Sequence, residues 1–370
     1  MASGDFLRLI GVRKTDDPWV FVSVSLPGRA GNQQPIAYGG CATTVALNAA
    51  GQTIKQEPRM VPYSMVGHFL GPAALDTPFV CEVRPVRDTR TFATRHVTVN
   101  QDIKGKLRPV LALTLDMIAS PNSTKEALEK AKARGADPGK VKSLLRYQIP
   151  PSFTPKSFKE LEMPVESVKR RVASGELNEF QAGMFQEFLG LWLRMFEDRV
   201  VPESMMTQNL MGLHLKPTTQ DDRAVSDRRA YDWFKLRQQL PPADGSTEMT
   251  AGGDDGMLPM TSVMAHLCAL AFAMDGAIAF APMSLNNESL LNASIASTLD
   301  FAQRYHTDNI DMNKFSMREI QTLAGGWQRH YTEARAYSDS GELLVTCTQQ
   351  CVLRPAPGVV SEEDETRSKL

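Results

Sequence analysis

Two stretches almost free of charge dominate the hydropathy pattern. Residues 36–54, IAYGGCATTVALNAAGQTI, are alanine-rich and end before Lys55, which predicts one buried helix entered through Gly39 and Gly40. Met260 to Phe280 repeats that composition and predicts a second buried helix. From Phe79 to Ala119 apolar and polar positions alternate in three runs, which predicts an antiparallel meander turning near Asp88-Thr89 and Lys104-Gly105. A strand over residues 60–70 links the first helix to that meander. After the second helix come the strand-like LLNASIASTLDFAQRYH and another meander, whose last hairpin turns at Ser340-Gly341.

The order helix, strand, meander therefore occurs twice. Aligning Phe69 with Tyr305 sets Gly39 opposite Asp275 and Leu113 opposite Gln349, each at an offset of 236. A long apolar helix wrapped by an antiparallel sheet is one compact way to bury such a helix, and two copies can pair their sheets edge to edge. The order alone also permits other α+β folds. Between the copies, Ser123 with Glu126 forms a capping box on a charged helix that should stop at Gly135. Phe185, Phe188, Leu189, Trp192 and Phe196 share one helical face, expected to pack on its own domain. Leu240 to Asp255 reads as a mobile surface loop. The expected division is a first repeat over 1–120, a helical middle segment over 121–199, a second repeat over 200–358 and an acidic tail over 359–370.

Lys and Arg number 41 against 42 Asp and Glu, so no overall basic field exists to hold a nucleic acid or an anionic membrane. No run reaches the length of a membrane span, and the first residues lack the apolar core of a secretory leader. Five cysteines without a CxxC pair fit a reducing compartment. The chain ends Ser368-Lys369-Leu370, the tripeptide read by the peroxisomal import receptor, which predicts the peroxisome matrix.

Between Gly256 and Asn287 the only formally charged side chain is Asp275. It either ends a helix at the surface or is a carboxylate held by donors in a site, since burying it unpaired costs several kcal/mol. In LLVTCTQQCVLR, alternation puts Val345, Cys347, Gln349, Cys351 and Leu353 on one face, so a primary amide sits among apolar neighbours. Gln349 then either ties down a loop or holds a water against a carboxylate. Nothing local singles out Thr298. Six scattered histidines form no zinc motif, and GxSxG, P-loop and dinucleotide fingerprints are absent, so no metal or cofactor is expected.

At these residues the chain resembles the acyl-CoA thioesterase II family. The carriers are Gly39-Gly40, Phe69-Leu70-Gly71-Pro72, the hairpin Val86-Arg87-Asp88 through Thr91-Phe92-Ala93-Thr94-Arg95, Asp275, Ser297-Thr298-Leu299-Asp300 and Thr346 to Arg354. The resemblance implies a double hotdog, with two long buried helices each wrapped by an antiparallel sheet and the sheets joined edge to edge. It implies hydrolysis of an acyl-CoA substrate by a water that Asp275, Thr298 and Gln349 hold jointly, without a covalent acyl-enzyme. Phe301-Ala302-Gln303-Arg304 and Cys41 depart from the family pattern and point to a reshaped acyl channel, so a secondary-metabolite thioester stands beside ordinary fatty acyl-CoA. Two other readings remain open: a 2-enoyl-CoA hydratase on the same scaffold, and a non-catalytic acyl-CoA-binding protein. A homo-oligomer is compatible with each.

Overall fold

The computed structural model describes residues 5–31, 34–54, 59–120, 132–135, 147–243 and 249–359. Among these, the alternating runs form one antiparallel sheet of twelve strands. The first half supplies β1 (Val12–Lys14), β2 (Val20–Ser23), β3 (Met60–Phe69), β4 (Phe79–Asp88), β5 (Phe92–Ile103) and β6 (Lys106–Ala119). The second supplies β7 (Phe196–Val200), β8 (Ala230–Leu236), β9 (Ala293–Tyr305), β10 (Ser316–Gly326), β11 (Arg329–Ser338) and β12 (Leu343–Pro355). Across the sheet they run β1-β2-β4-β5-β6-β3-β9-β12-β11-β10-β8-β7. The expected edge-to-edge join is the β3–β9 pairing, from Ser64 opposite Arg304 to His68 opposite Asp300. The fold is a double hotdog.

The helices used below are α1 (Phe6–Ile10), α2 (Gly39–Gly51), α3 (Pro164–Ala173), α4 (Glu179–Met195) and α5 (Ser262–Ala273), besides the short helices Met205–Gln208 and Ala281–Leu285 and several single turns. In α2 and α5 apolar side chains face every direction, so neither helix has a face that water could solvate. Accordingly every residue of α5 and all but the end glycines of α2 are buried, and the two helices pack on each other. Their few polar groups are answered locally. The Thr44 hydroxyl donates to the Gly40 carbonyl at 2.6 Å, and the Asn48 amide to that of Ile10 at 2.9 Å. His266 accepts from the Met312 N–H on Nδ1, which leaves Nε2–H to donate to the Pro241 carbonyl.

Three expectations are corrected. The second core helix ends at Ala273 rather than running to Phe280, because Gly276 and a left-handed Ala277 (φ 70°) turn the chain there. The aromatic stripe of α4 includes Phe185, Phe188 and Trp192, but Phe196 has left the helix and opens β7. That stripe also does more than pack on its own segment, since it roofs the cavity described below. Strand β7 spans residues 199 and 200, so the second sheet takes its outer strand from chain that precedes residue 200. The helix expected from Ser123 lies outside the described residues as far as residue 131. Within the 240–255 run, the Thr250 N–H donates to the Met260 carbonyl at 2.8 Å. Farther upstream, Phe153 packs on Tyr231 and Phe158 stacks on Phe315, covering the face of β8 and β10 turned away from the core.

Candidate active site

Asp275 sits two residues beyond the end of α5, at the start of α2. The first turn of any helix carries N–H groups without intrahelical partners and a partial positive charge. The N-cap of α2, Tyr38, makes no side-chain capping bond, and its hydroxyl instead donates to the Phe272 carbonyl at 2.6 Å. The carboxylate of Asp275 takes the capping place and accepts the Gly40 N–H. The aspartate of one repeat thus caps the core helix of the other. A Cβ on Gly39 would lie 2.7 Å from Asp275 Oδ2 and 2.8 Å from Phe69 Cζ, so only glycine permits this approach. The turn itself is held by Arg318, whose Nη1 donates to the carbonyls of Ala273 and Gly276 at 2.8 and 2.9 Å.

Gln349, on β12, is 1% exposed, on the face its alternation predicts. Its Nε2 donates to Asp275 Oδ1 at 2.9 Å, and its Oε1 accepts the Thr298 hydroxyl at 2.8 Å. The register of β9 explains why the threonine points inward. Phe301 lies opposite Gln349, yet Thr298 lies opposite Cys351, which leaves Leu299 as an extra residue in a bulge. A strict alternation from Phe301 would aim Leu299 at the site. The bulge aims Thr298 there instead. The three side chains expected from the sequence are therefore in one hydrogen-bonded chain, Thr298 to Gln349 to Asp275.

Asp275 and Thr298 open onto a cavity of about 770 Å³, while Gln349 stands behind them, outside its wall. Phe69, Phe185, Phe188, Trp192, Met211 and Phe280 make most of the surface apolar. What Asp275 exposes is cavity wall rather than bulk surface. Loss of hydration pushes its carboxyl up to about 6, against the pull of the Gln349 and Gly40 hydrogen bonds. At neutral pH it is an ionised base close to its titration point. Cys41, beside the glycine pair, is fully buried and its thiol is pushed up to about 12 by desolvation, so it is no nucleophile. Among the described residues no three His, Cys, Asp or Glu side chains converge as a metal site, and no helix is long and apolar enough to cross a membrane.

Sequence reasoning missed a second polar group on the same cavity. Arg318 makes a two-pronged ion pair with Asp232 at 3.0 and 2.7 Å and lies over the Trp192 ring at 4.8 Å. Asp198 accepts the Trp192 indole N–H nearby. The one available signal was charge at consecutive positions of β10, Arg318 and Glu319, which in a strand must face opposite sides.

Comparison with known proteins agrees with this architecture. Residues 26–118 match the model of the acyl-CoA thioesterase N-terminal domain, and residues 174–353 that of the acyl-CoA thioesterase C-terminal domain. The fold is similar to that of the tesB protein of Mycobacterium avium subsp. paratuberculosis, with TM-score 0.59, 16% identity, and coverage of 95% of this chain and 99% of that one. It is similar as well to acyl-CoA thioesterase II TesB2 of Mycobacterium marinum, at TM-score 0.59 and 15% identity over 96% and 98% of the two chains. A hot dog fold protein of Alicyclobacillus acidocaldarius superposes at TM-score 0.56 and 14% identity, covering 96% of this chain and all of that one. With both of its repeats matched in order, the chain belongs to the acyl-CoA thioesterase II family and is a thioester hydrolase.

Proposed function

We propose that the chain hydrolyses acyl-CoA thioesters to free carboxylic acid and CoA with a water held by Asp275 and Thr298 and fixed in place through Gln349. The observation that carries this reading is the unbroken Thr298–Gln349–Asp275 hydrogen-bond chain on the wall of an apolar cavity. Thr298 gives its proton to Gln349, so its oxygen faces the cavity as an acceptor and orients the water that Asp275 deprotonates. Water oxygen bonds to the thioester carbon while its proton passes to the Asp275 carboxylate. The resulting oxyanion is met by the Gly39 N–H at the start of α2, where the helix field favours negative charge. Collapse breaks the C–S bond, and Asp275 returns its proton to the departing CoA sulfur. No acyl-enzyme forms.

Apolar lining supplies about 0.8 kcal/mol for each buried methylene, so fatty chains suit the cavity and its depth sets their length. The reading places the enzyme in the peroxisome matrix through Ser368, Lys369 and Leu370, residues outside the described set. Thiol release from an acyl-CoA panel tests the chemistry. Wild type should release CoA and Thr298→Ala should lose at least about tenfold in kcat with KM little changed. Removing the last three residues should leave turnover intact and the protein in the cytosol. Unimpaired Thr298→Ala would overturn the site, and continued import of the truncated chain would overturn the address.

A further inference from the structure

Six consecutive residues of β9, Ser294 to Leu299, line the cavity. Successive side chains of a strand point to opposite faces, so a cavity that touches all six meets the strand on its edge. That edge is open. Pairing with β3 runs from Arg304 to Asp300 and stops, because β3 ends at Phe69 while β9 reaches back to Ala293. From Ala293 to Leu299, β12 is the sole partner strand among the described residues. The sheet therefore has a slot, with Leu70 to Ala73, the continuation of β3, on its other side. Leu70, Pro72, Ser294, Ile295 and Leu299, together with Gln34, are the exposed part of the cavity lining, so the slot is the cavity's mouth.

Which backbone groups look into the slot follows from the ladder. Leu353 on β12 donates its N–H to the Gln328 carbonyl at 2.8 Å, on the β11 side. In an antiparallel pair, residues directly opposite one another either exchange both of their bonds or both turn them outward. Ala296 lies opposite Leu353, so its N–H and C=O point away from β12 and into the slot. Two residues on, with no bulge between, those of Thr298 do the same. Thr298 also belongs to the hydrogen-bonded chain that ends on Asp275, so the thioester sulfur and this edge are neighbours on one strand. An open edge bonds to extended chains that carry amides at near-peptide spacing. Coenzyme A holds its sulfur on such a chain, a pantetheine arm with two secondary amides joined by β-alanine, a residue one methylene longer than a peptide's.

We propose that the pantetheine arm of acyl-CoA docks in the slot as a short extra strand, its β-alanine accepting the Ala296 N–H on its carbonyl and donating its own N–H to the Ala296 carbonyl. This use of the edge rests on the acyl-CoA reading above and deepens it. Recognition falls to the backbone of β9, on the part of the substrate that every acyl-CoA shares, and leaves the cavity behind the slot to choose the acyl group. One such bond corresponds to about three- to tenfold in kcat/KM.

Two thioesters of one saturated acyl group form the test: S-acyl pantetheine, and its analogue in which the amide nearest the sulfur is replaced by two methylenes. Their non-hydrolysable thioethers are measured by calorimetry in parallel. Wild type should bind and turn over the amide form about three- to tenfold better than the methylene form. Ala296→Pro removes one N–H that no β12 carbonyl accepts, at a strand edge where proline is tolerated. In that variant, with circular dichroism unchanged, the amide form should lose its advantage and the two forms should converge to within about twofold, since the bond they differ in is already gone. Equal use of the two forms by wild type, or an Ala296→Pro protein that keeps the wild-type preference, would overturn the proposal. If the variant does not fold, the wild-type comparison decides by itself. Thioether binding reports the slot independently of chemistry, whereas no thiol release from any thioester would strike the hydrolysis reading alone.

Discussion

Replacing Asp275 by asparagine should remove a pH-dependent loss of stability while abolishing activity. The carboxyl titrates at about 6 in the folded chain, against an ordinary 3.8, because burial disfavours its charge. Two pH units at 1.36 kcal/mol each amount to about 3 kcal/mol by which ionised Asp275 opposes folding. A raised acid stabilises the fold only while protonated, so its contribution is complete below about 3.8 and lost as pH climbs through about 6. Between pH 5 and pH 8 the folded form should lose about 1.4 kcal/mol relative to a chain with no charge to bury there, and little more above pH 8. Asparagine is that chain. Whatever fixed offset the amide brings through its own hydrogen bonds, the difference in unfolding free energy between Asp275→Asn and wild type should grow by about 1–1.5 kcal/mol over this window. Urea unfolding at pH 5, 6.5 and 8 on both proteins measures it, with thiol release recorded on the same samples. A difference that stays constant or shrinks with pH would refute the claim that Asp275 is a desolvated carboxylate, and normal turnover in the variant would refute its role as base.

Gln349→Leu removes the side-chain donor to Asp275, so the acid limb of the wild-type pH–rate profile, expected near pH 6, should move up by about one pH unit, with a lower plateau. Gly39→Ala forces a Cβ onto Asp275 Oδ2 and Phe69, and should cut kcat by at least about tenfold while circular dichroism stays unchanged. Arg318→Met leaves Asp232 unpaired and two carbonyls of the Asp275 turn without donors, and should cost about 3–5 kcal/mol in urea unfolding.

Two residues of the site are legible because they break a pattern. Asp275 is the sole charge in an apolar run, and Gln349 the sole amide on an apolar strand face. Thr298 breaks nothing locally, since its direction depends on a bulge whose register is set by the partner strand β12. The family resemblance, not the pattern, points to it. The core helices and the long meanders are equally plain, because burial on all sides leaves no polar face to confuse the period. Strands β1, β2, β7 and β8 are short and lie toward the two ends of the sheet, and their few alternating residues do not stand out from loop. Asp198 reads as an ordinary surface charge in Phe196-Glu197-Asp198-Arg199, and only the packing of α4 against β7 and β8 makes it a buried acid.

The β3–β9 junction has a bearing on how the protein survives at high concentration. Each repeat alone would present a long open strand there, of ten and thirteen residues respectively, a template for adding foreign strands. Pairing the two with each other, Ser64–His68 against Asp300–Arg304, engages the middle of one template and the end of the other inside one molecule. The strands left at the ends of the sheet have three and five residues, with Arg13 and Lys14 on one and Glu197 and Arg199 on the other. Short charged borders are poor sites for cross-chain β addition, so a molecule built almost wholly around one antiparallel sheet offers little purchase for fibrous growth.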